Sequence, residues 1–289
     1  GLPEKEPIKL PDDKVFCYNG RKRSQEVLSM EISKVTEVFF SPTYSTERIV
    51  RLIGEAWEET HQEIDLSRIP KEREIHEFGA QDLVIFGVPS YGGRVPAPAA
   101  ERFRNLKGQK TPIILLTAFG NRDYDDTLLE MKDLAEEQGF VPAAAVAAAA
   151  EHSIMRQYAE GRPDSRDQSE LTNFAVKIRE KIQQTEDIEG MTELSEKGNR
   201  PYREYNGVPM KPSAGKQCKK CGLCARLCPV GAIPAEHPEE TLKETCISCM
   251  RCIAVCPEHA RKVSRPVLMA ASVKLKKECS ERKRNELIL

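Results

Sequence analysis

The chain has 289 residues and ten cysteines, and eight of these cysteines are crowded between positions 218 and 256. They form two copies of one pattern, in which three cysteines stand at every third position and a fourth precedes a proline. A short loop of this kind can bind three corners of an iron–sulfur cube, so the fourth corner must be bound from elsewhere in the chain. The copies are Cys218-x2-Cys221-x2-Cys224-x3-Cys228-Pro229 and Cys246-x2-Cys249-x2-Cys252-x3-Cys256-Pro257.

The spacing is that of bacterial ferredoxins with two [4Fe–4S] clusters, in which the fourth cysteine of each run binds the other cluster. We therefore expect two clusters with exchanged fourth ligands. The first would be held by Cys218, Cys221, Cys224 and Cys256, and the second by Cys246, Cys249, Cys252 and Cys228. Structural zinc sites usually use two spaced pairs of ligands, so zinc is the weaker interpretation of this pattern.

Composition bounds the remaining possibilities. The chain carries 44 basic and 45 acidic residues, which gives no indication of a nucleic-acid partner or a polybasic membrane anchor. No apolar run approaches the roughly 18 residues of a membrane span, and no hydrophobic signal segment is present at the N-terminus. Because clustered thiolates suit metal binding in a reducing compartment, we expect a cytoplasmic protein with a protein redox donor or acceptor.

Upstream of the cysteines, apolar strand patterns alternate with helical patterns. Strands are predicted at 35–40, 63–66, 82–88, 112–118 and 140–150, and helices at 45–60, 99–106, 127–138 and 170–184. This alternation predicts an α/β fold with a doubly wound, five-stranded parallel sheet. In such sheets a ligand lies beyond the carboxyl ends of the strands, at the point where the strand order reverses.

The patterns divide the chain into five parts. They are an N-terminal leader (1–33), the α/β domain (34–185), a linker (186–217), a small α+β ferredoxin-like domain (218–265) and a C-terminal helix (266–289).

Three loops follow three of the predicted strands and form one candidate site. Hydroxyls and backbone N–H groups before a helix suit a phosphate, although a simple N-cap is an alternative. The glycines would allow close approach of a planar ligand, and the tyrosines could lie on its faces. The residues are Ser41, Thr43, Tyr44, Ser45 and Thr46; Pro89, Ser90, Tyr91, Gly92 and Gly93; and Phe119, Gly120, Asn121, Arg122, Asp123 and Tyr124.

These loops resemble those of flavodoxins, which bind FMN through a phosphate loop and two loops with aromatic residues. The whole chain resembles the bacterial flavodoxin–ferredoxin fusion proteins, the EFR-type ferredoxins, in the segments VPSYGGRVP, GNRDYDDTL, AEHSI, GNRPY and CISCMRCIAVCP. The resemblance implies FMN, with Tyr91 on the inner face of the ring and Tyr124 on the outer. One position departs from the flavodoxin pattern, because Tyr44 stands where the phosphate loop has glycine. A positive φ there would strain a tyrosine by about 1–3 kcal/mol.

These features predict an electron-transfer protein that relays electrons between FMN and two [4Fe–4S] clusters. Two other hypotheses remain. The protein could be a flavin-dependent reductase fed by the clusters, which would need open space above the ring. Alternatively, the α/β domain could be a flavin-free docking domain. His152, at the end of the fifth predicted strand, is either a hydrogen-bonded loop residue or a proton source beside the flavin.

Overall fold

A computed structural model describes residues 30–70, 72, 74–185, 188, 191 and 194–289. Of the predicted leader, only residues 30–33 are described, and Cys17 lies outside the described residues.

A six-stranded sheet forms the centre of the α/β domain, and five of its strands are parallel. Among the described residues, the first seven strands are β1 (Lys34–Phe39), β2 (Thr60–Asp65), β3 (His76–Phe78), β4 (Asp82–Pro89), β5 (Leu106–Gly108), β6 (Thr111–Phe119) and β7 (Phe140–Ala149). The parallel strands lie in the order β2-β1-β4-β6-β7. This is the flavodoxin-like order, whose switch point falls between β1 and β4. The predicted fold class is confirmed, whereas the small separate sheet of β3 and β5 had not been predicted.

Helices cover both faces of this sheet, as the fully buried strand β6 requires. The four helices are α1 (Ser45–Gly54), α2 (Ala97–Phe103), α3 (Thr127–Glu137) and α4 (Ser165–Gln184). Helices α1 and α4 pack with one face in a single apolar cluster, and α2 and α3 pack with the other. The carboxyl ends of the strands are left for the loops of the candidate site.

The cysteine-rich part is built from two similar halves. It contains β8 (Ser213–Ala214), α5 (Leu223–Arg226), α6 (Arg251–Ala254) and β9 (Arg261–Lys262), with β8 antiparallel to β9. Lys220 and Ser248, which occupy equivalent positions in the two runs, are both left-handed, with φ of 54° and 56°. Gly222 and Met250 form a second such pair, with φ of 75° and 64°. The duplication of the cysteine spacing is therefore also a duplication of the backbone.

The C-terminal segment does not form the single helix predicted for residues 266–289. Helix α7 (Arg265–Cys279) is followed by a strand, β10 (Glu286–Ile288), which pairs antiparallel with β7. Leu287, which the helical pattern included, lies opposite Val146 in the sheet. The strand covers what would otherwise be a bare edge of β7, and this pairing outweighs the local helical pattern.

Both ends of the cysteine-rich part are attached to the α/β domain. On the N-terminal side, the predicted linker packs closely, because the backbone N–H groups of Asn199 and Arg203 donate to Asp126 at 2.9 and 2.7 Å. On the C-terminal side, the Asn285 side chain accepts from the Ala149 N–H at 2.9 Å. The chain therefore contacts the α/β domain both before and after the cluster-binding part.

Candidate cluster and cofactor sites

The eight cysteines line two separate spaces, four to each. One space is lined by Cys218, Cys221, Cys224 and Cys256, and the other by Cys228, Cys246, Cys249 and Cys252. The two are equal in size, with a cavity volume of about 20 Å³ each. Each space therefore takes three cysteines from one run and the fourth from the other, as cross-ligation requires. We call them the cluster 1 cavity and the cluster 2 cavity.

Donors surround the sulfur atoms in both halves. The backbone N–H groups of Ala232 and Ala260 donate to Cys228 Sγ and Cys256 Sγ at 3.2 and 3.3 Å. Burial raises the pKa of the Cys249 thiol to about 12, so an uncompensated thiolate there is costly. A cationic iron–sulfur core would supply the compensation, and such N–H donors stabilise thiolate and sulfide. The residues present therefore fit two clusters.

A further cavity of about 230 Å³ lies at the carboxyl ends of β4, β6 and β7. Its floor comes from the predicted loops, including Ser90, Tyr91 and Gly120. Its other walls are formed by later parts of the chain: Tyr205, Val208 and Met210 from the predicted linker, Ile247 and Ser248 from the second cysteine run, and Leu275 from α7. We call this space the ring cavity.

The residues of the predicted phosphate loop, which precedes α1, have different roles in the structure. Tyr44 is left-handed, with φ 69° and ψ −5°, so this tyrosine occupies the backbone region that favours glycine. Ser41 Oγ accepts from the Glu47 N–H at 3.0 Å and satisfies one N–H of the helix N-terminus. Thr43 and Ser45 line the ring cavity.

Arg251, from the second cysteine run, closes this loop from outside. Its Nη1 donates to the carbonyl oxygens of Ser41 and Pro42 at 3.0 and 3.3 Å. Its guanidinium carbon lies 4.9 Å from the centre of the Tyr44 ring. The side chain is 5% exposed, and its Nε has no hydrogen-bond partner. Arg251 also lines the cluster 2 cavity, so one residue touches both the phosphate loop and a cluster site.

A second cavity, of about 380 Å³, adjoins the phosphate loop and shares Thr43 and Ser45 with the ring cavity. Its walls include Arg48, and also Arg156 paired with Glu151. Its position at the N-terminus of α1 suits an anion, since backbone N–H groups and the helix dipole point there. The two adjoining cavities fit the ring and the phosphate arm of FMN.

His152 lies in the wall of the ring cavity as a neutral imidazole. Its Nδ1 accepts from the N–H groups of Ile154 and Met155 at 3.2 and 3.3 Å, which leaves the ring proton on Nε2. Burial lowers its pKa to about 4. A Cβ added at Gly120 would lie 2.8 Å from the imidazole, so this glycine allows the ring to pack here.

The structure divides the predicted loop residues into two groups. Those that line the ring cavity are Thr43, Ser45, Pro89, Ser90, Tyr91, Gly92, Phe119, Gly120, Arg122 and Asp123. Those that line neither this cavity nor its neighbour are Ser41, Tyr44, Thr46, Gly93, Asn121 and Tyr124.

Tyr124 does not take the outer stacking position that was expected. It is 1% exposed, packs against Phe119, and its hydroxyl donates to Glu286 at 2.6 Å. Asn121 is also occupied elsewhere, because its amide nitrogen donates to the carbonyls of Cys279 and Glu281 at 2.7 and 2.8 Å. Both residues hold the C-terminal segment, so neither is available to a ligand.

The paired glycines have a different role from the one predicted. A Cβ at Gly92 would overlap the Tyr205 ring, and one at Gly93 would overlap the Asp125 side chain. The absence of a Cβ at these two positions therefore makes room for the side chains of Tyr205 and Asp125.

Sequence reasoning missed the other walls of the ring cavity. Ala150, Glu151 and Ser153 follow β7 directly. They could have been predicted, because ligands of such sheets lie beyond the carboxyl ends of the strands. Tyr205 and Leu275 had no such signal, since their position depends on how distant parts of the chain fold back.

Comparisons with known proteins bear on the cysteine-rich part first. A family model described as a 4Fe-4S dicluster domain matches residues 217–261. This part is a 4Fe-4S dicluster domain. The family match and the two four-cysteine cavities both indicate two [4Fe–4S] clusters. A search of curated proteins found no similar protein. The chain thus joins a flavodoxin-like α/β domain to a ferredoxin-type domain, which is an architecture for electron transfer.

Solved structures with similarity to this chain include three flavodoxin-type proteins. A flavodoxin from the domain Archaea is 13% identical, covers 52% of this chain and 98% of its own, and has a TM-score of 0.35. Oxidised flavodoxin 2 from Bacillus cereus is 16% identical, with coverage of 52% and 99% and a TM-score of 0.37. A WrbA-like flavodoxin from Agrobacterium tumefaciens is 15% identical, with coverage of 53% and 99% and a TM-score of 0.35. The fold assignment rests on the strand order of this chain.

Among the residues that the structure describes, no helix has the length and apolar character needed to cross a membrane.

Proposed function

We propose that the protein is an electron carrier in which FMN occupies the ring cavity and exchanges electrons with a protein partner through the two clusters. FMN would supply exchange between two-electron and one-electron carriers, and the clusters would carry single electrons. The proposal includes the two sets of cysteine ligands named above. It also includes the five-part division of the chain, with the C-terminal part corrected to a helix followed by a strand.

The observation that carries the proposal is a shared wall between two cavities. Cys246 and Cys249 line the cluster 2 cavity, whereas Ser248 between them lines the ring cavity and Ile247 lines both. Ile247 also packs against the core of the α/β domain. A single loop therefore separates the flavin site from the nearer cluster.

The protein groups around the ring cavity support binding rather than reaction with a small molecule. Tyr91 would contact the ring from the α/β domain, while Thr43 and Ser45 would donate to the phosphate at the start of α1. Tyr205, which packs against Gly92, and Met210 also cover this cavity, where a reductase would need space for its substrate. This covering favours the carrier over the reductase.

The cluster 1 cavity is the outer end of the proposed path. Cys221 is exposed, whereas Cys249 and Cys252 of the cluster 2 cavity are buried. A redox partner would therefore exchange electrons near Cys221. Because cysteines of this pattern hold metal in a reducing environment, we place this exchange in the cytoplasm.

The first test of this proposal is chemical analysis of protein purified without oxygen. We expect one FMN, about eight iron and about eight acid-labile sulfide per chain. Tyr91→Leu should weaken FMN binding about threefold to tenfold, because an aromatic stacking contact contributes about 0.5–1.5 kcal/mol. Tyr124→Phe is the matched control and should leave FMN affinity unchanged. Normal iron content without FMN, even after reconstitution, would reject the flavin.

Paired cysteine variants test the exchanged ligands. If Cys218 and Cys256 bind the same cluster, the double variant Cys218→Ser/Cys256→Ser should lose one cluster and keep about four iron. The double variant Cys218→Ser/Cys228→Ser should lose both clusters. The reverse result would show that each run binds its own cluster.

A further inference from the structure

Arg261 is a buried arginine in contact with a cluster cysteine. It is 2% exposed and lines the cluster 1 cavity. Its Nε donates to Cys224 Sγ at 3.3 Å, and its Nη1 donates to Thr241 Oγ1 at 2.8 Å. Its Nη2 donates to the carbonyl oxygens of Pro238 and Glu240. The acceptors other than the sulfur are neutral oxygens, so the negative charge on the cluster side is what balances this buried cation.

The equivalent position in the other half carries no charge. Counting from the cysteine runs, Arg261 corresponds to Ile233, which is 5% exposed and packs with Cys224 and Cys252. The neighbouring positions are alike, because Ala232 and Ala260 make the same N–H contact to a cysteine sulfur. The two cluster environments are therefore similar in backbone, and each is lined by one buried arginine, but only Arg261 donates to a cysteine sulfur.

The charge of Arg261 also acts on Cys252 of the cluster 2 cavity, but its hydrogen bond is to Cys224 of the cluster 1 cavity. Two other cations lie near the cluster 2 cavity, and neither donates to a cysteine sulfur. Arg251 donates to the carbonyls of Ser41 and Pro42 and faces the Tyr44 ring, all in the α/β domain. Lys211 Nζ donates to the Cys246 carbonyl oxygen. Arg261 instead donates to a ligand sulfur itself, where charge accumulates when a cluster gains an electron.

We propose that Arg261 makes cluster 1 the better electron acceptor of the pair, so that a single electron shared by the two clusters resides at the outer end. This inference rests on the proposed cluster ligands. A fixed cation in a low-dielectric interior stabilises added negative charge, and hydrogen bonds to the sulfur atoms act in the same direction. Since Cys221 at this end is exposed, the electron would be held where a partner can reach it. The asymmetry therefore directs single electrons from the flavin side towards the surface.

The first experiment uses the unaltered protein with both clusters present. The Cβ protons of the ligand cysteines, shifted by the paramagnetic clusters, are followed by NMR during anaerobic stepwise reduction. We expect the protons of Cys218, Cys221 and Cys224 to respond in the first one-electron step. A first response at Cys246, Cys249 and Cys252 would overturn the proposal.

The second experiment removes the charge. In Arg261→Gln, the ratio of reduced to oxidised cluster 1 at a fixed potential should fall at least tenfold, which corresponds to 59 mV for a one-electron couple. Arg261→Lys keeps the charge and should show a smaller shift. Arg226→Gln is the control, because it removes the same charge from an exposed side chain in α5.

The outcomes separate this inference from the proposed function. Unchanged potentials in Arg261→Gln, or equal shifts of both clusters, would reject the role of Arg261 while leaving the carrier intact. A protein that contains no clusters when purified without oxygen would instead reject the proposed function. If Arg261→Gln loses a cluster, the NMR order in the unaltered protein and the potentials of Arg261→Lys still decide the question.

Discussion

Arg251→Gln should weaken FMN binding, because this arginine joins the cluster 2 loop to the phosphate loop. The substitution keeps a polar side chain but removes the charge, the planar fork and the reach to the carbonyls of Ser41 and Pro42. Without these contacts, the loop that presents Thr43 and Ser45 loses its support from the ferredoxin-type domain.

The size of the effect follows from three contributions. A hydrogen bond from a charged donor contributes about 2 kcal/mol net, and we count one because both acceptors share Nη1. The cation–π contact with Tyr44 contributes about 1 kcal/mol. Against these, the substitution removes the unpartnered Nε, whose burial costs about 1 kcal/mol. The net loss is about 2 kcal/mol, or roughly 30-fold in FMN affinity if all of it holds the loop in place.

The assay is an anaerobic titration of FMN followed by quenching of its fluorescence. Arg226→Gln is the matched control, since it removes an exposed charge from the equivalent helix of the other half. Arg251→Lys should recover part of the affinity, because it restores the charge but not the planar stacking on Tyr44. The reasoning is refuted if Arg251→Gln binds FMN within twofold of the unaltered protein, or if both glutamine variants lose affinity equally.

Three further predictions concern single residues. Tyr44→Gly should change the free energy of unfolding by less than about 1 kcal/mol, because relief of the left-handed strain (about 1–2 kcal/mol) is offset by the lost contact with Arg251 and by glycine entropy; a larger change in chemical denaturation would contradict this. Gly120→Ala should abolish FMN binding in the same titration, since its Cβ forces the His152 ring to move, and unchanged affinity would show that the ring has room. NMR should show His152 neutral down to about pH 5, because its folded pKa is about 4. Unfolding would then take up a proton between about pH 6.5 and 4, so stability falls as the pH falls through that range; titration near 6.5 would exclude the buried environment.

The grouping of the cysteines around two cavities could be predicted because much of their geometry is local. Each run fixes three thiolates within seven residues, and the left-handed turns at Lys220 and Ser248 repeat between the halves. The exchange of Cys228 and Cys256 was expected from the known pattern of two-cluster ferredoxins, not from the spacing alone. The parallel sheet was predictable for a similar reason, since strands such as β6 are continuous apolar runs whose burial on both faces leaves few alternatives.

The roof of the ring cavity could not be predicted in this way. Tyr124 was expected to face the ligand, but its hydroxyl is bound by Glu286, which lies 162 residues further along the chain. Tyr205 lines the cavity from a segment that had only the composition of a linker. A three-residue strand such as β10 carries too little pattern to be distinguished from the end of a helix. These errors share a cause: each depends on contacts between residues that are far apart in the sequence.

The path of the chain explains why the flavin and cluster sites are close. If the ferredoxin-type domain hung from a single linker, its distance from the ring cavity would fluctuate with the linker length. Here the chain is fixed to Asp126 before the domain and returns to the sheet as β10 after it. With both ends fixed, the loop that carries Ile247 is held against the α/β core, and exchange between the two sites becomes an event within one molecule. In the proposed carrier, the step that depends on collision with another protein is the one at the exposed outer cluster, where the charge of Arg261 would act.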